Sequence, residues 1–370
     1  MQRLRGGGAG RSSLATGLRS EFTSPATEGA GLSQAWRRRL TVALVCMALF
    51  NDMVQVSMLT PIIPTLIASP PPLGVSERAE VAMGLLFASK DICQLAAAPL
   101  AGWLTSRHSS HAALCLSTAG LGLATISFAE ASTFTQLLIA RGCQGAASAA
   151  TMSGGLSLIA ETHPEAIRGQ AMGVAYTGLA LGVLCGPLVG GLLFQRFGRR
   201  ATFHLAGAFV LANALAQVLL MTSCPPTFLE RKNGDSDEKK SLAAMSSVRK
   251  LLSNGHVLAV FWATVAVNGV LGMLKPVSQM ILDREFQMGM VSRSLVISVA
   301  TVTYVSTTPV AGYLSDRVPR ARLLSLSLVL MALSTLALSL RFLGFFTIIV
   351  ACALVGSSAA FSGSVGTSLY

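Results

Sequence analysis

Ten stretches of this chain, roughly 40–67, 79–104, 112–130, 136–160, 169–194, 201–222, 256–282, 290–313, 323–340 and 342–370, are apolar over a bilayer-crossing length, about 20 residues for a helix. Hydrocarbon offers backbone amides no partner, so each stretch must close its own hydrogen bonds, as a helix does. Hydrophobic residues are 52% of the sequence and charged residues only 12%, too little polar surface to clothe a water-soluble fold. The expected architecture is an all-α, multi-pass integral membrane protein whose first partner is the lipid bilayer.

A net charge of +12 would suit a nucleic-acid binder, but the placement of the basic residues argues against one. With the N-terminus on the cytoplasmic side, most Lys and Arg fall in cytoplasmic segments, as the positive-inside rule requires. Arg196, Arg199 and Arg200 on the far side are the exception. Residues 1–39 read as a disordered basic cytoplasmic tail, and 223–250, with Pro225-Pro226 and the charged run Asp235 to Lys240, as a cytoplasmic linker. Between them 40–222 forms a six-helix bundle. Residues 251–370 form a second bundle that reads as incomplete, since four spans follow the linker where six precede it. Six of the seven cysteines fall within spans, so no disulfide framework is expected.

The two groups of spans share a motif in equivalent loops. Gly102-Trp-Leu-Thr-Ser106-Arg107 follows the second span and Gly312-Tyr-Leu-Ser-Asp316-Arg317 follows the eighth, which points to duplication. In the fifth span, Gly178, Gly182, Gly186 and Gly190 recur every four residues, with Pro187 beside them. On a helix this spacing makes one glycine-lined face against which a second helix can pack backbone to backbone, and Pro187 is expected to bend it. The glycine run resembles the fifth-helix antiporter signature of the major facilitator superfamily. The loop motif resembles that superfamily's gate motif, which implies a structural role for Asp316 and Arg317. The resemblance implies a fold of twelve helices in two halves, of which about ten are present here.

Ionisable residues at helix centres cost about 2.5–3.5 kcal/mol each on insertion scales, so each is a functional candidate. Five stand out: Asp52, Lys90, Asp91, Arg141 and Lys275. Asp52 shares a helical face with Ala48, Gln55 and Leu59, upstream of Pro61 and Pro64, which are expected to bend the outer end. A carboxylate there can hold a proton or an organic cation but not both, which gives exchange by competition. The alternative is a permanent ion pair with Lys90. In the second span Lys90 shares its face with Gln94, while Asp91 points about 100° away and is expected not to share its contact. Arg141, Gln144, Ser148 and Thr151 form a polar stripe on the fourth span. In the seventh, Asn268, Gly272, Lys275 and Gln279 align beside Pro276, where an unwound segment is expected. His204 reads as hydrogen-bonded packing.

The runs Asp52 to Pro64, Gly84-Leu-Leu-Phe-Ala-Ser-Lys90, Ile139-Ala-Arg141 with Gln144-Gly145, Arg168 to Gly173 and Gly178 to Gly191 together resemble the vesicular amine transporters. These are proton antiporters for monoamines, acetylcholine and polyamines. The resemblance implies that Asp52 recognises the cationic amine and that Lys90 belongs to a charge network joining the halves. It also implies that Arg141 and Gln144 form a fourth-helix motif. This sequence departs from the family in three places: Lys275 stands where the family has an acid, Gly363 stands roughly where its tenth helix has another, and its acidic eleventh helix has no counterpart here.

The function expected is proton-coupled antiport of a small organic amine by alternating access, in a multi-pass membrane protein for which an intracellular vesicle is a candidate location. Two alternatives are a drug or organic-anion exporter of the same superfamily and a truncated, non-transporting paralogue. No metal-ligand spacing, nucleophile elbow or phosphate loop is present in the sequence, so no enzyme activity and no cofactor are expected. The expected partners are a small-molecule substrate and protons, with no nucleic acid, in a monomer.

Overall fold

The computed structural model describes residues 25–68, 79–107, 109–223, 255–315, 317–339 and 344–367. In the order of the chain the helices are α1 (Pro25–Ile67), α2 (Ala79–Arg107), α3 (Ser110–Glu130) and α4 (Phe134–Thr162). The segment Glu165–Ser223 is two helices, α5 over 165–197 and α6 over 199–223, joined at Gly198, whose φ of 73° only glycine adopts readily. Then come α7 (Gly255–Arg284), α8 (Met290–Ser315), α9 (Arg320–Ser339) and α10 (Phe345–Thr367). Each expected span has its helix, with ends shifted by a few residues.

The clearest shift is at the start. Helix α1 begins at Pro25, inside the segment expected to be tail. Pro25 suits the first turn of a helix, and Ala26, Glu28, Ala30, Leu32, Gln34 and Ala35 favour its continuation to the apolar stretch despite Gly29 and Gly31. Prolines within helices are also accommodated: α1 runs through Pro61 and Pro64 to Ile67, and α5 through Pro187. Helix α7 is helical across residue 276, so the unwound segment expected beside Lys275 is not formed. A proline costs one hydrogen bond, and neighbouring helices in a bundle can make up that loss.

Among the described residues, seven segments are long and apolar enough to cross a membrane on composition alone, and one of them, Glu165–Leu220, contains both α5 and α6. Helices α4 and α8 fall outside that set. In α4 the reason is visible, since Arg141, Gln144, Ser148 and Thr151 lower its hydropathy and are all buried in the bundle. Large apolar side chains face outward instead: Leu95 is 77% exposed and Phe346 73%. That inversion suits a lipid surround.

Helix α1 packs chiefly on the 165–223 segment, α2 on α4, and α3 on α4 and the 165–223 segment, around a core of Met58, Ile62, Leu86, Phe128 and Phe203. Beyond the linker, α10 packs on α8 and α9 around Ala311, Leu323 and Phe361. The pairing of α2 with α4 is repeated by α8 with α10. A Cβ added at Gly145 would strike the Lys90 carbonyl and come within 3.1 Å of the Gln94 nitrogen. One added at Gly356 would strike the Ala300 carbonyl and come within 2.9 Å of the Tyr304 nitrogen. Lys90 and Gln94 stand to Ala300 and Tyr304 as Gly102 stands to Gly312, at one sequence offset. The duplication is thus visible in packing, and alanine occupies the place of Lys90 in the second copy.

Arg199, one of the three arginines that broke the expected charge pattern, has a structural explanation. Arg199 NH1 donates to the Ala131 carbonyl at 2.5 Å, just past the end of α3, and His204 Nε2 lies 2.7 Å from Glu130 Oε1. A cation at a helix C-terminus satisfies exposed carbonyls and complements the helix dipole. Replacing Arg199 with Met should lower the thermal unfolding midpoint by a few degrees, whereas replacing the exposed Arg196 should leave it unchanged.

Candidate functional site

The site is built on the polar stripe of α4. Asp52, on α1, is 2% exposed and accepts a hydrogen bond on Oδ2 from Ser148 Oγ at 2.6 Å. Its other oxygen, Oδ1, is buried with no hydrogen-bond partner among the described residues. One turn along α1, Gln55 Oε1 accepts from Thr125 of α3 and from Gln144 Nε2 at 3.4 Å. Gln144 in turn accepts from Arg141 NH1 at 2.6 Å, and Thr151 Oγ1 donates to Ser117 Oγ at 3.0 Å. Spacing by three and four residues puts Arg141, Gln144, Ser148 and Thr151 on one face of α4. That face ties α4 to α1 and α3 with side chains that could not be left in hydrocarbon unpaired.

Two cations flank the carboxylate. Arg141 is 1% exposed, and both it and Lys90 lie within electrostatic reach of Asp52. Lys90 Nζ donates to Gln94 Oε1 at 2.7 Å and stands 3.8 Å from Asp91 Oδ1. The Asp91 contact corrects the expectation that Asp91 could not share it. The helical positions do diverge, but the four-carbon stem of lysine lets Nζ swing to the edge of its neighbour. Asp91 itself points outward, its side chain 77% exposed.

The structure therefore brings Asp52, Lys90, Arg141 and Gln144 together in the first group of helices. Asn268 sits on α7, and Gln279, further along it, is fully buried with neither amide atom hydrogen-bonded among the described residues. The Lys275 side chain and Asp316 lie outside the described residues. Arg317 is exposed, with its guanidinium 4.1 Å from the centre of the Tyr313 ring. Arg107 repeats this over Trp103 at 5.3 Å. The loop motif thus carries an aromatic four residues before its arginine in both copies, a cation–π pair that the sequence displayed and that its reading missed. Gln55 lies on the α1 face where it was expected beside Asp52, whereas Thr125 and Ser117 were missed, and only the scattering of hydroxyls along the third span hints at them.

Arg141→Met should be severely destabilising. It leaves Gln144 Oε1 without its donor and removes a buried cation beside Asp52, and losing one member of a buried charged set typically costs about 3–5 kcal/mol. A large drop in the thermal midpoint in detergent is expected, with partial recovery in Arg141→Lys.

The glycine face completes the geometry. A Cβ on Gly182 would come within 2.5 Å of the Phe50 carbonyl and 2.8 Å of Met53 Cβ. At Gly190 it would meet Met58 Cβ at 2.5 Å, and at Gly178 and Gly186 it would run into Cys46 and Ser57. Ser57 Oγ crosses the contact to donate to the Gly182 carbonyl at 3.0 Å. Helix α5 is therefore seated on the helix that carries Asp52. Residues 44–369 match the family described as the Major Facilitator Superfamily.

The chain belongs to the Major Facilitator Superfamily. Among curated proteins it is similar to the probable vesicular acetylcholine transporter-B of Danio rerio, 30% identical over 65% of this chain and 47% of that one. It is 28% identical to the synaptic vesicular amine transporter of Mus musculus over 70% of this chain and 48% of that one. To the vesicular acetylcholine transporter of Rattus norvegicus it is also 28% identical, over 71% and 58%. The chain spans about half the length of these relatives. Among solved superfamily structures, a bacterial homolog of the human lysosomal transporter Spinster, inward-facing and unoccupied, aligns with a TM-score of 0.69 at 19% identity, covering 90% of this chain and 75% of that one. A mutant of the peptide transporter POT in complex with sulfate aligns at 0.70 and 14%, covering 88% and 81%. At such identities the structures establish the fold, and the vesicular transporters supply the nearer chemistry.

Proposed function

We propose that this chain is a proton-coupled antiporter for a small organic amine. Its two groups of helices, 40–222 and 251–370 about the 223–250 linker, rock to alternate access, in a vesicle membrane with the N-terminus cytoplasmic. The observation that carries the reading is Asp52, a membrane-buried carboxylate with one oxygen held by Ser148 and the other free of protein donors among the described residues. Such an oxygen can take a proton or face an ammonium group, and holding one excludes the other. The similarity to vesicular acetylcholine and amine transporters supports an amine as the occupant. Lys90 and Arg141 set the empty site's charge so that Asp52 is not left an isolated anion. Asp91, Gln144, Asn268 and Lys275 are assigned to the surrounding network, and Pro61, Pro64, Pro187, Asp316 and Arg317 to the moving joints.

A second reading rests on the same charges. Among the described residues Lys90 and Arg141 are buried beside Asp52, while Asp91 faces outward, an excess of positive charge that would suit an organic anion. Uptake into proteoliposomes with an acidic lumen separates the two. Acetylcholine or serotonin accumulating in proportion to the pH gradient, with proton efflux, supports the amine antiporter. Accumulation of an organic anion in place of the amines supports the second reading, and uptake of neither removes both.

A further inference from the structure

A groove of about 990 Å³ lies between α1 and α5, and it includes neither Asp52, Lys90 nor Gln144. Its walls are apolar, formed by residues such as Val42 and Phe50 on α1 and Val174 and Leu181 on α5. Val174 and Leu181 are 53% and 52% exposed, so the groove is open along its length. One end is basic, with Arg38 and Arg39 on its rim and Arg168 in the adjoining first turns of α5. The Nε atoms of Arg38 and Arg168 are shielded from solvent, and neither has a hydrogen-bond acceptor among the described residues. Among the described residues no acid lines the groove, and the nearby Glu161 accepts from Ser110 at 2.6 Å instead. His163, also at the basic end, is pushed below its ordinary pKa by burial and by Arg38, so the positive charge there comes from the arginines.

From Arg38 to Phe50 the groove runs about 18 Å along α1, roughly one leaflet of a hydrocarbon core ~30 Å thick. The positive-inside rule puts this end at the cytoplasmic leaflet, where anionic lipids concentrate. We propose that the groove between α1 and α5 is a binding site for an anionic phospholipid, its phosphate held by Arg38 and Arg39 and one acyl chain laid along Val42, Phe50, Val174 and Leu181. The arginine charge on the rim is then balanced by the phosphate, and the open apolar wall is covered.

The test is native mass spectrometry of the full chain, purified in detergent and titrated with phosphatidylserine, phosphatidylcholine or inorganic phosphate. Phosphatidylserine is expected to bind and phosphatidylcholine to bind much more weakly. Arg38→Gln with Arg39→Gln should weaken phosphatidylserine binding by about 25-fold, taking roughly fivefold per arginine near a lipid surface. Val174→Trp, a filling substitution at an exposed position, should also weaken it, while Arg196→Gln with Arg200→Gln should not. Equal binding of the two lipids would overturn the proposal, as would an unchanged affinity in the arginine and tryptophan variants. Inorganic phosphate binding as well as phosphatidylserine would show an anion site without a lipid, and displacement of the lipid by acetylcholine or serotonin would make the groove a substrate vestibule. Either result rejects it.

Discussion

Asp52→Asn is expected to abolish pH-driven amine uptake while leaving a folded protein. Asparagine has nearly the volume of aspartate, and its carbonyl can keep the hydrogen bond from Ser148 Oγ. What it cannot do is exchange a proton or balance an ammonium group. The cost of placing a cation there without its counter-charge is about 3–5 kcal/mol, and each 1.4 kcal/mol is tenfold, so uptake should fall at least a hundredfold. Asp52→Glu keeps the charge but displaces it by one methylene, and partial uptake with a raised KM is expected. Ser148→Ala removes one neutral donor from a charged acceptor, worth about 1.5–3 kcal/mol, so a loss of roughly tenfold or more is expected without abolition. The decisive readout is uptake per folded molecule with a monodisperse elution profile. Full uptake in Asp52→Asn would remove Asp52 from the transport cycle and make it a structural acceptor for α4.

The ten helices were legible because each apolar run is long and bounded by polar residues, and in lipid nothing competes with the helix for the backbone. The glycine face of α5 was legible as a face, since spacing alone puts Gly178, Gly182, Gly186 and Gly190 in line. Its partner was not. A glycine stripe says that some backbone comes close, and only the packed structure shows that it belongs to Cys46, Phe50, Val54 and Met58 on α1.

Charges were legible as individuals and not as pairs. Lys90 could have reached Asp52, Asp91 or a residue further along the chain, and its contacts with Gln94 and Asp91 depend on how its flexible stem turns on α2. The arginines that broke the positive-inside pattern looked anomalous because that rule counts charges by side of the membrane. Arg199 answers to a nearer demand, the open carbonyl of Ala131 at the end of α3. Likewise the hydroxyls of Thr125 and Ser117 read as ordinary small residues until α3 turns Thr125 onto Gln55 of α1 and Ser117 onto Thr151 of the α4 stripe.

Gly186→Leu is expected to prevent folding outright, a large structural effect at the α1–α5 contact. A single Cβ there already runs into Ser57 and comes within 2.9 Å of the Val54 carbonyl, and a leucine adds three more carbons in the same direction. Overpacking in a core that can shift costs about 1–3 kcal/mol. Here Ser57 Oγ can rotate away, but the Val54 carbonyl is helix backbone, so room for a leucine requires α5 to move off α1. Separation would take the Ser57–Gly182 hydrogen bond with it and expose carbonyls to lipid, which has no donors to offer. The control is Gly173→Leu on the same helix, where a Cβ meets nothing within 4 Å. Fluorescence-detected size exclusion should show the Gly173 variant eluting as wild type and the Gly186 variant aggregated. Gly186→Ala should fall between, since one methyl group can be met by rotating Ser57 Oγ away. If Gly186→Leu elutes as wild type, helix α5 does not sit on α1 at this point, and the placement of Asp52 that depends on it would have to be redrawn.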